Sequence, residues 1–399
     1  MNILFVNNIP FNPIGGGVER VTDILTKELV KRGYTIYYLC GKLPDSKLYL
    51  LNYAYPAKLF QLPHFGMFDN DENISYYKQL QDELKIDIVV NQRGLGGRFN
   101  TLLPYTRTKL VSVIHSRPDA DVVMHLNQVL KRATSPFAEL KKLAKSIFPF
   151  IFLNHWKRKE LKETTCKYKL LLNNSDFIVT LSHDDIRMFN KFIGTTYNKK
   201  VISIPNPNTY NTVNTSWEFK EKVILYVGRL SLEKGSLRLL KIWERLYKNY
   251  PDWQLVIVGE GDEKANMLKY TKEKQLRNVI FEGRQSDVAK YYRKAQFICL
   301  TSHFEGWGMT LTEGMQHGCI PFTFNNYGAA FDIIDDGVNG CLIPAYNLKE
   351  YASRLSELMS DDNKRLIMSN SAIEKVKIFS VENVTDKWEK LFSSLLYYK

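Results

Sequence analysis

The feature that most constrains the fold is a repeated alternation of short apolar runs, glycine-marked turns and helical stretches. In the first half, the apolar run Ile3–Val6 precedes a turn rich in Pro and Gly and then an amphipathic segment over 18–32. In the second half, Val223–Val227 opens the same order. Strands that alternate with helices in this way pair in parallel through right-handed crossovers. The sequence therefore predicts an α/β protein built from doubly wound parallel sheets.

The chain is long enough for two domains, because a single hydrophobic core seldom keeps growing over 399 residues. Residues 204–216 contain two prolines and four asparagines, which disfavour both helix and strand. We predict an N-terminal domain over 1–205, a C-terminal domain over 206–379 and a helical tail over 380–399. Further strands are expected near 34–39, 86–90, 109–114 and 177–181, and near 254–258, 279–281, 297–300 and 320–324.

The chain is strongly basic, with 55 Lys and Arg against 42 Asp and Glu and a net charge of +13. Such an excess favours polyanionic partners. Much of it lies in 131–170, where basic residues alternate with aromatic and aliphatic ones. Two interpretations stay open: the solvated face of an ordinary helix, or an amphipathic segment on an anionic membrane surface. Nucleic acid is disfavoured, because no nucleic-acid-binding motif accompanies the charge.

The cysteines and the N-terminus indicate the cellular compartment in which the protein is expected. The five cysteines are scattered and never spaced as CxxC, so neither a disulfide framework nor a zinc site is predicted. The N-terminus lacks the basic region of a signal peptide, and no apolar run approaches the roughly 18 residues of a membrane span. We expect a cytoplasmic chain, with peripheral attachment to the inner face of the cytoplasmic membrane as the alternative that 131–170 leaves open.

Two basic residues follow the first strand of the second half. Gly228 allows a tight turn, Arg229 offers a planar fork of donors, and Lys234 offers a compact charge on a flexible stem. In an open α/β sheet, ligands bind at the carboxyl ends of the strands. We therefore expect these residues to hold the phosphate groups of a nucleotide diphosphate.

Two glutamates stand eight positions apart, at Glu305 and Glu313. The pattern predicts a loop at Glu305 and a helix that starts near Gly308, with free N–H groups at 308–310 forming an anion site. Glu313 then lies in the second turn, where a carboxylate can accept from both hydroxyls of a diol. Glu305 can face a sugar ring and favour the positive charge that develops in glycosyl transfer.

The first half contributes two weaker features. Gly16 and Gly17 supply backbone amides at a predicted helix N-terminus, which suits phosphate. The turn lacks the GxGxxG spacing of dinucleotide-binding proteins. His115 follows the strand at 109–114, so it lies on the same kind of strand end. A role in contacting a sugar or an acceptor is favoured over a structural one.

The residues Gly228-Arg229 with Glu233-Lys234-Gly235, and Glu305-Gly-Trp-Gly308 with Glu313, resemble the two motifs of the retaining glycosyltransferases of family 4. That resemblance implies the GT-B fold, in which two Rossmann-like domains face a cleft and the C-terminal helix, here 380–399, crosses back onto the first domain. It implies that the C-terminal domain binds a nucleotide-sugar and the N-terminal domain an acceptor. The implied donor-binding residues are Gly16, Gly17, Gly228, Arg229, Lys234, Glu305, Gly306, Trp307, Gly308, Met309, Thr310 and Glu313. Those implied in catalysis are Glu305, His115, Arg229 and Lys234.

The resemblance implies a hexosyltransferase that needs no metal ion and no other cofactor. Its donor would be a UDP-sugar rather than GDP-mannose, and its acceptor a glycan or a lipid-linked intermediate of cell-surface polysaccharide or glycolipid synthesis. Two alternatives stay open: a GT-B nucleotide-sugar epimerase or hydrolase, and a basic scaffold that binds polyanions or membranes. The sequence departs from the family pattern at Asp332, where many relatives carry Glu, and at Gly314, where Ala is common.

Overall fold

The computed structural model describes residues 1–9, 16–41, 56–94, 98–120, 122, 148–210 and 216–397. Its contacts divide the chain into two compact units. Unit 1 comprises Met1–Ile204 with Glu389–Lys399, and unit 2 comprises Pro205–Trp388. The sequence placed the first boundary after residue 205 and the return of the chain at residue 380.

Unit 1 is built on a seven-stranded parallel sheet in the order β3-β2-β1-β4-β5-β6-β7. Its strands are β1 (Asn2–Asn7), β2 (Thr35–Cys40), β3 (Lys58–Gln61), β4 (Ile88–Asn91), β5 (Lys109–Ile114), β6 (Phe177–Thr180) and β7 (Val201–Ser203). Its helices are α1 (Gly17–Lys31), α2 (Asp71–Glu83), α3 (Phe148–Asn174) and α4 (His183–Ile193), with 3₁₀ turns at Arg98–Thr101 and Leu103–Tyr105. Strands β3 and β7 were not predicted.

Unit 2 is built on a six-stranded parallel sheet in the order β10-β9-β8-β11-β12-β13. Its strands are β8 (Glu221–Val227), β9 (Gln254–Val258), β10 (Val279–Gly283), β11 (Ala295–Cys299), β12 (Ile320–Phe324) and β13 (Cys341–Ile343). Its helices are α5 (Ser236–Trp243), α6 (Lys264–Glu273), α7 (Ala289–Lys294), α8 (Met309–Gln316), α9 (Gly328–Ile333), α10 (Leu348–Met359) and α11 (Asp362–Val376), with 3₁₀ turns at Trp217–Phe219 and Lys377–Phe379. Strand β13 was not predicted.

In both sheets the strand order reverses direction beside the first strand. The reversal lies between β1 and β4 in unit 1 and between β8 and β11 in unit 2. Loops leave the carboxyl ends of such neighbouring strands toward opposite faces, which opens a crevice where ligands bind. The loops after β8 and β11 carry Lys234 and Glu305, and those after β1 and β4 lead to Gly16 and Gln92. The predicted class, two doubly wound α/β domains, is confirmed.

The last helix, α12 (Val381–Tyr397), belongs partly to each unit, because unit 1 takes up the chain from Glu389. Arg32 Nη1 lies 2.6 Å from a carboxylate oxygen of Glu389, and the ring centroids of Tyr34 and Phe392 are 6.3 Å apart. These contacts fix the tail to the end of α1. They explain why the tail is amphipathic although it follows the last strand of unit 2.

Residues 131–147 of the basic segment lie outside the described residues, and the remainder belongs to α3. The 27 residues of α3 measure about 40 Å at 1.5 Å per residue, roughly twice the length of a six-residue strand. Its C-terminal end is separated from the start of β6 by Ser175 and Asp176. No helix in the described part of the chain combines the length and apolar character that a bilayer crossing requires.

Candidate active site

Two loops of unit 2 are hydrogen-bonded to each other at the carboxyl edge of the sheet. The N–H of His303, after β11, donates to the carbonyl of Glu233, after β8, at 2.7 Å, and Thr301 Oγ1 donates to the carbonyl of Gly235 at 2.9 Å. Gly235 has φ +61°, and a Cβ there would lie 2.1 Å from the carbonyl oxygen of Thr301. Only glycine permits this approach. The side chains of residues 234 and 305 are thereby brought together.

Lys234 and Glu305 form an ion pair in this position. Lys234 Nζ lies 2.8 Å from both carboxylate oxygens of Glu305, and Ser302 Oγ donates to Glu305 Oε1 at 2.6 Å. Glu305 is 9% exposed and Lys234 is 32% exposed at the side chain. The predicted phosphate-binding cation and the predicted sugar-facing carboxylate are thus in direct contact. Lys234 has three N–H donors, so one remains for a further acceptor.

Arg229 lies on the same edge but is not part of that pair. Its side chain is 71% exposed, and Nη1 contacts Glu233 at 3.4 Å. The backbone around it is held by the loop after β9: the N–H of Leu230 donates to the carbonyl of Glu260 at 2.9 Å, and a Cβ on Gly259 would lie 1.9 Å from the carbonyl oxygen of Gly228. The backbone is therefore fixed, while the guanidinium extends into solvent.

Helix α8 begins at the carboxyl edge beside Glu305. Gly308, its N-cap, has φ +90°, and the first N–H groups of a helix have no acceptor within the helix. These groups belong to the predicted donor-binding stretch, which runs from Gly306 to Thr310. The Trp307 side chain is 2% exposed, and its ring packs edge-on against Phe379 with centroids 5.0 Å apart. Trp307 can therefore contact a ligand only through its backbone.

Glu313 lies in the second turn of α8 and is held by two protein hydroxyls. Thr209 Oγ1 donates to Oε1 at 2.7 Å, Tyr292 OH donates to Oε2 at 2.8 Å, and the residue is 2% exposed. A carboxylate accepts hydrogen bonds from hydroxyl groups at both oxygens, which is the contact that a ligand diol would make. Thr209 and Tyr292 were not predicted from the sequence. Neither residue stands in a motif, and packing alone brings them to Glu313.

The ring of Tyr292 is itself held by a buried aromatic stack. His317, one turn after Glu313, stacks on it with centroids 5.5 Å apart, and His317 Nδ1 lies 2.8 Å from the carbonyl of Glu313. Burial, opposed in part by that backbone contact, lowers the pKa of His317. A neutral ring donates its Nδ1–H to the carbonyl. The carboxylate that was predicted to hold a diol is therefore rigidly placed.

In unit 1, Gly16 and Gly17 stand at the start of α1 beside a partly buried polar cluster. A Cβ on Gly16 would lie 2.7 Å from Glu19 Oε2. Arg93 Nη2 donates to Glu19 Oε1 at 3.3 Å, and Arg93 Nε donates to Asn7 Oδ1 at 2.6 Å. The cluster joins the ends of β1 and β4 at the point where the strand order reverses. This cluster was not predicted from the sequence.

His115 follows β5, as predicted, and lies on the same edge of the unit 1 sheet. Its Nε2 is hydrogen-bonded to Gln92 Oε1. Burial, reinforced by the nearby charge of Arg93, lowers the pKa of His115 to about 3. The ring is therefore neutral at physiological pH, and it can exchange hydrogen bonds with a hydroxyl without carrying charge.

Family models match the chain over nearly all of its length. The model described as Glycosyltransferase Family 4 matches residues 15–207, and the one described as Glycosyl transferases group 1 matches residues 213–375. The chain belongs to glycosyltransferase family 4. This glycosyltransferase is 27% identical over 383 residues to an uncharacterized glycosyltransferase of Haemophilus influenzae, an alignment that covers 94% of the chain and 95% of the relative.

A second relative is an α-1,4-N-acetyl-D-galactosaminyltransferase of Campylobacter jejuni. Its name specifies an acceptor glycan that is joined to PP-undecaprenol. It is 28% identical over 224 residues, covering 55% of the chain and 60% of that enzyme. Among solved structures, Anabaena HepE in complex with UDP and glucose superposes with a TM-score of 0.74 and 18% identity, over 99% of this chain and 100% of that one. This likeness shows that the glycosyltransferase has the GT-B fold.

The cysteines and acidic residues of this glycosyltransferase bear on whether it could hold a metal ion. Within the described ranges, no group of three or more His, Cys, Asp or Glu side chains is placed to hold a metal ion. Four cysteines are buried as free thiols, and Cys166 is exposed. Burial raises the pKa of Cys40, Cys299 and Cys341 to about 12, so these three are protonated thiols.

Proposed function

We propose that this glycosyltransferase moves a hexosyl unit from a nucleotide-sugar, UDP-linked rather than GDP-linked, to a glycan or lipid-linked acceptor. The transfer retains the anomeric configuration and needs no metal ion. The observation that carries the proposal is the Lys234–Glu305 pair at 2.8 Å, next to the N-terminal turn of α8 at the edge where the strand order reverses. A cation, a carboxylate and free backbone amides there suit a diphosphate joined to a sugar.

In this scheme the donor diphosphate accepts hydrogen bonds from Lys234 and from the first amides of α8. Negative charge grows on the diphosphate as the bond to the sugar breaks, so these contacts strengthen in the transition state. Glu305 lies where its charge can favour the positive sugar ring. The acceptor hydroxyl attacks from the face that the diphosphate leaves, and the departing phosphate oxygen takes its proton. Glu313 holds the ribose hydroxyls.

The relatives support the choice of donor and acceptor. HepE is named in complexes with UDP, and the C. jejuni enzyme is named for a PP-undecaprenol acceptor and an α linkage. A donor that carries its sugar in the α configuration yields an α product by retention. We infer that unit 1 holds an acceptor of the same kind, for the synthesis of a cell-surface polysaccharide or glycolipid.

Attachment to an anionic membrane surface is part of the proposal. In the described part of α3, Lys157, Arg158, Lys159 and Lys162 are exposed, whereas Tyr168 is buried and donates to the carbonyl of Pro118 at 2.8 Å. One side of α3 therefore packs on the rest of unit 1, and the four exposed basic side chains form its basic face. Such a face attracts anionic lipid headgroups. A lipid-linked acceptor would be presented at that surface.

A panel of nucleotide-sugars tests the proposed function. Thermal shift measurements should show stabilisation by one UDP-sugar above the others. Mass spectrometry with lipid-diphosphate-linked glycans should then show a product heavier by one hexosyl unit. Isomerised or hydrolysed donor without any need for an acceptor would favour an epimerase or hydrolase. Binding of polyanions with no response to any nucleotide-sugar would favour a scaffold.

A further inference from the structure

The two ring nitrogens of His115 differ in their hydrogen bonding. Nε2 is hydrogen-bonded to Gln92 Oε1, and Nδ1 is buried with no hydrogen-bond partner among the residues that the structure describes. An amide oxygen only accepts, so the proton of a neutral imidazole lies on Nε2 and Nδ1 keeps its lone pair. A buried acceptor without a donor is costly and therefore uncommon in proteins. The lone pair of Nδ1, at the carboxyl edge of the unit 1 sheet, therefore indicates a site for a hydrogen-bond donor of a ligand.

Gln92 is itself held rigidly. It is 2% exposed, and its N–H donates to the carbonyl of Val6 at 3.1 Å. The next residue, Arg93, is fixed by Asn7 at the end of β1 and by Glu19 on α1. The backbone that carries the amide contacting His115 is therefore anchored to β1 and β4, at the point where the order of the sheet reverses.

We propose that Gln92 is a positioning residue that holds His115 as the Nε2–H tautomer, so that Nδ1 accepts a hydrogen bond from a hydroxyl of a sugar substrate. The proposal rests on the proposed function for the identity of that substrate. Gln92 lies behind the ring and acts on the hydroxyl only through His115. It orients the ring and fixes its tautomer, as the hydrogen bond at the second nitrogen of a histidine does in many sites.

The charges around His115 agree with this arrangement. In the described part of the chain, the charged group that faces it is Arg93, after β4, whose own partner is Glu19 on α1. Arg93 and burial both disfavour the imidazolium ion, which has no lone pair at Nδ1. Nδ1 therefore keeps its lone pair, and can accept a hydrogen bond, throughout the physiological pH range.

Nitrogen NMR of the wild-type chain, with ¹⁵N-labelled histidine, tests the tautomer directly. The His115 signals, identified by their loss in His115→Asn, should show protonated Nε2 and unprotonated Nδ1 from pH 5 to 8. In Gln92→Leu the same signals should shift toward a mixture of tautomers. Protonated Nδ1 in the wild type would overturn the proposal, and this measurement stands even if no nucleotide-sugar is turned over.

A pH profile tests the consequence for activity. In Gln92→Glu the new carboxylate still accepts from Nε2–H, but its charge favours the imidazolium and raises the pKa of His115. Relative to wild type, kcat/KM should be maintained at pH values above that raised pKa. As the pH falls below it, kcat/KM should decrease by about tenfold per pH unit. Gln92→Leu should lower kcat/KM by about tenfold without this acid limb.

The control is Gln79→Glu, which adds the same charge at an exposed position on α2 and should keep the wild-type profile. Circular dichroism separates a local effect from misfolding. A Gln92→Glu profile parallel to that of Gln79→Glu, in a folded protein that turns over its donor, would refute the positioning role while leaving the proposed function intact.

Discussion

At the scale of single residues, the sequence located the charges but not their partners. Lys234 and Glu305 were expected on one edge, because each follows a recognisable parallel strand, and the structure places them 2.8 Å apart. Tyr292 and Thr209 were not expected beside Glu313. They reach it through tertiary packing, which leaves no local pattern in the sequence. The order of strands along the sequence predicts at which edge of a sheet a side chain lies, whereas tertiary packing determines which residues contact it.

Replacing Lys234 with Ala should lower kcat/KM by about a hundredfold, because charge-assisted hydrogen bonds to the leaving diphosphate are lost as they tighten. Steady-state kinetics with the preferred donor measures this. The matched control is Lys294→Ala, whose Nζ also lies 2.8 Å from a carboxylate, that of Glu221, but on an exposed surface pair. Equal rates for the two variants would remove Lys234 from the proposed mechanism.

Replacing Tyr292 with Phe should weaken UDP binding by about tenfold, because Glu313 loses one charge-assisted hydrogen bond and its fixed orientation. Isothermal titration calorimetry measures the affinity. Tyr291→Phe is the control, since Tyr291 OH donates to a carboxylate oxygen of Glu282 at the same 2.8 Å but is less buried. If both variants bind UDP like the wild type, Glu313 does not hold the ribose.

At the scale of elements, long continuous apolar runs were predicted correctly and short strands were missed. Strand β3 has no fully buried residue, and β7 and β13 have three residues each. Such strands form because a neighbouring strand offers its hydrogen-bonding edge, which the segment's own sequence does not reveal. The turns were easier to find, because glycines such as Gly235 and Gly308 stand where the backbone has positive φ.

Gly235→Ala should destabilise unit 2 and reduce activity together. The φ of +61° costs about 1–2 kcal/mol for a residue with a Cβ, and the new methyl would meet the carbonyl oxygen of Thr301. Gly337→Ala is the control, since its φ is +78° but the nearest atom, Arg354 Nη2, is 4.0 Å away. Thermal unfolding should show the larger loss for Gly235→Ala. Equal losses would mean that the close approach of the two loops does not matter.

At the scale of the whole molecule, the class of fold and the family followed from the order of elements and two motifs. The acceptor side did not, because it is recognised by loops that vary independently of the sheet. The boundaries between the two units lie between 204 and 205 and between 388 and 389, whereas the sequence predicted that the chain returns to the first domain at 380. A helix that belongs to two units has one continuous amphipathic pattern, and that pattern does not show where the change occurs.

The basic face of α3 should control membrane binding. Wild-type protein should float with anionic vesicles in low salt, and changing Lys157, Arg158, Lys159 and Lys162 together to Gln should abolish this, since each charge near the surface contributes about 1 kcal/mol. The control changes four exposed lysines of unit 2, Lys269, Lys272, Lys274 and Lys294, to Gln. Wild-type protein that stays unbound, or two variants that float alike, would contradict the prediction.

The most direct test of the central claim is a crystal structure of the chain soaked with UDP. The account predicts the diphosphate on Lys234 and the first amides of α8, with the ribose hydroxyls on Glu313. Nucleotide bound elsewhere on unit 2 or on unit 1, with Lys234 still paired to Glu305 and the amides of α8 unengaged, would contradict it.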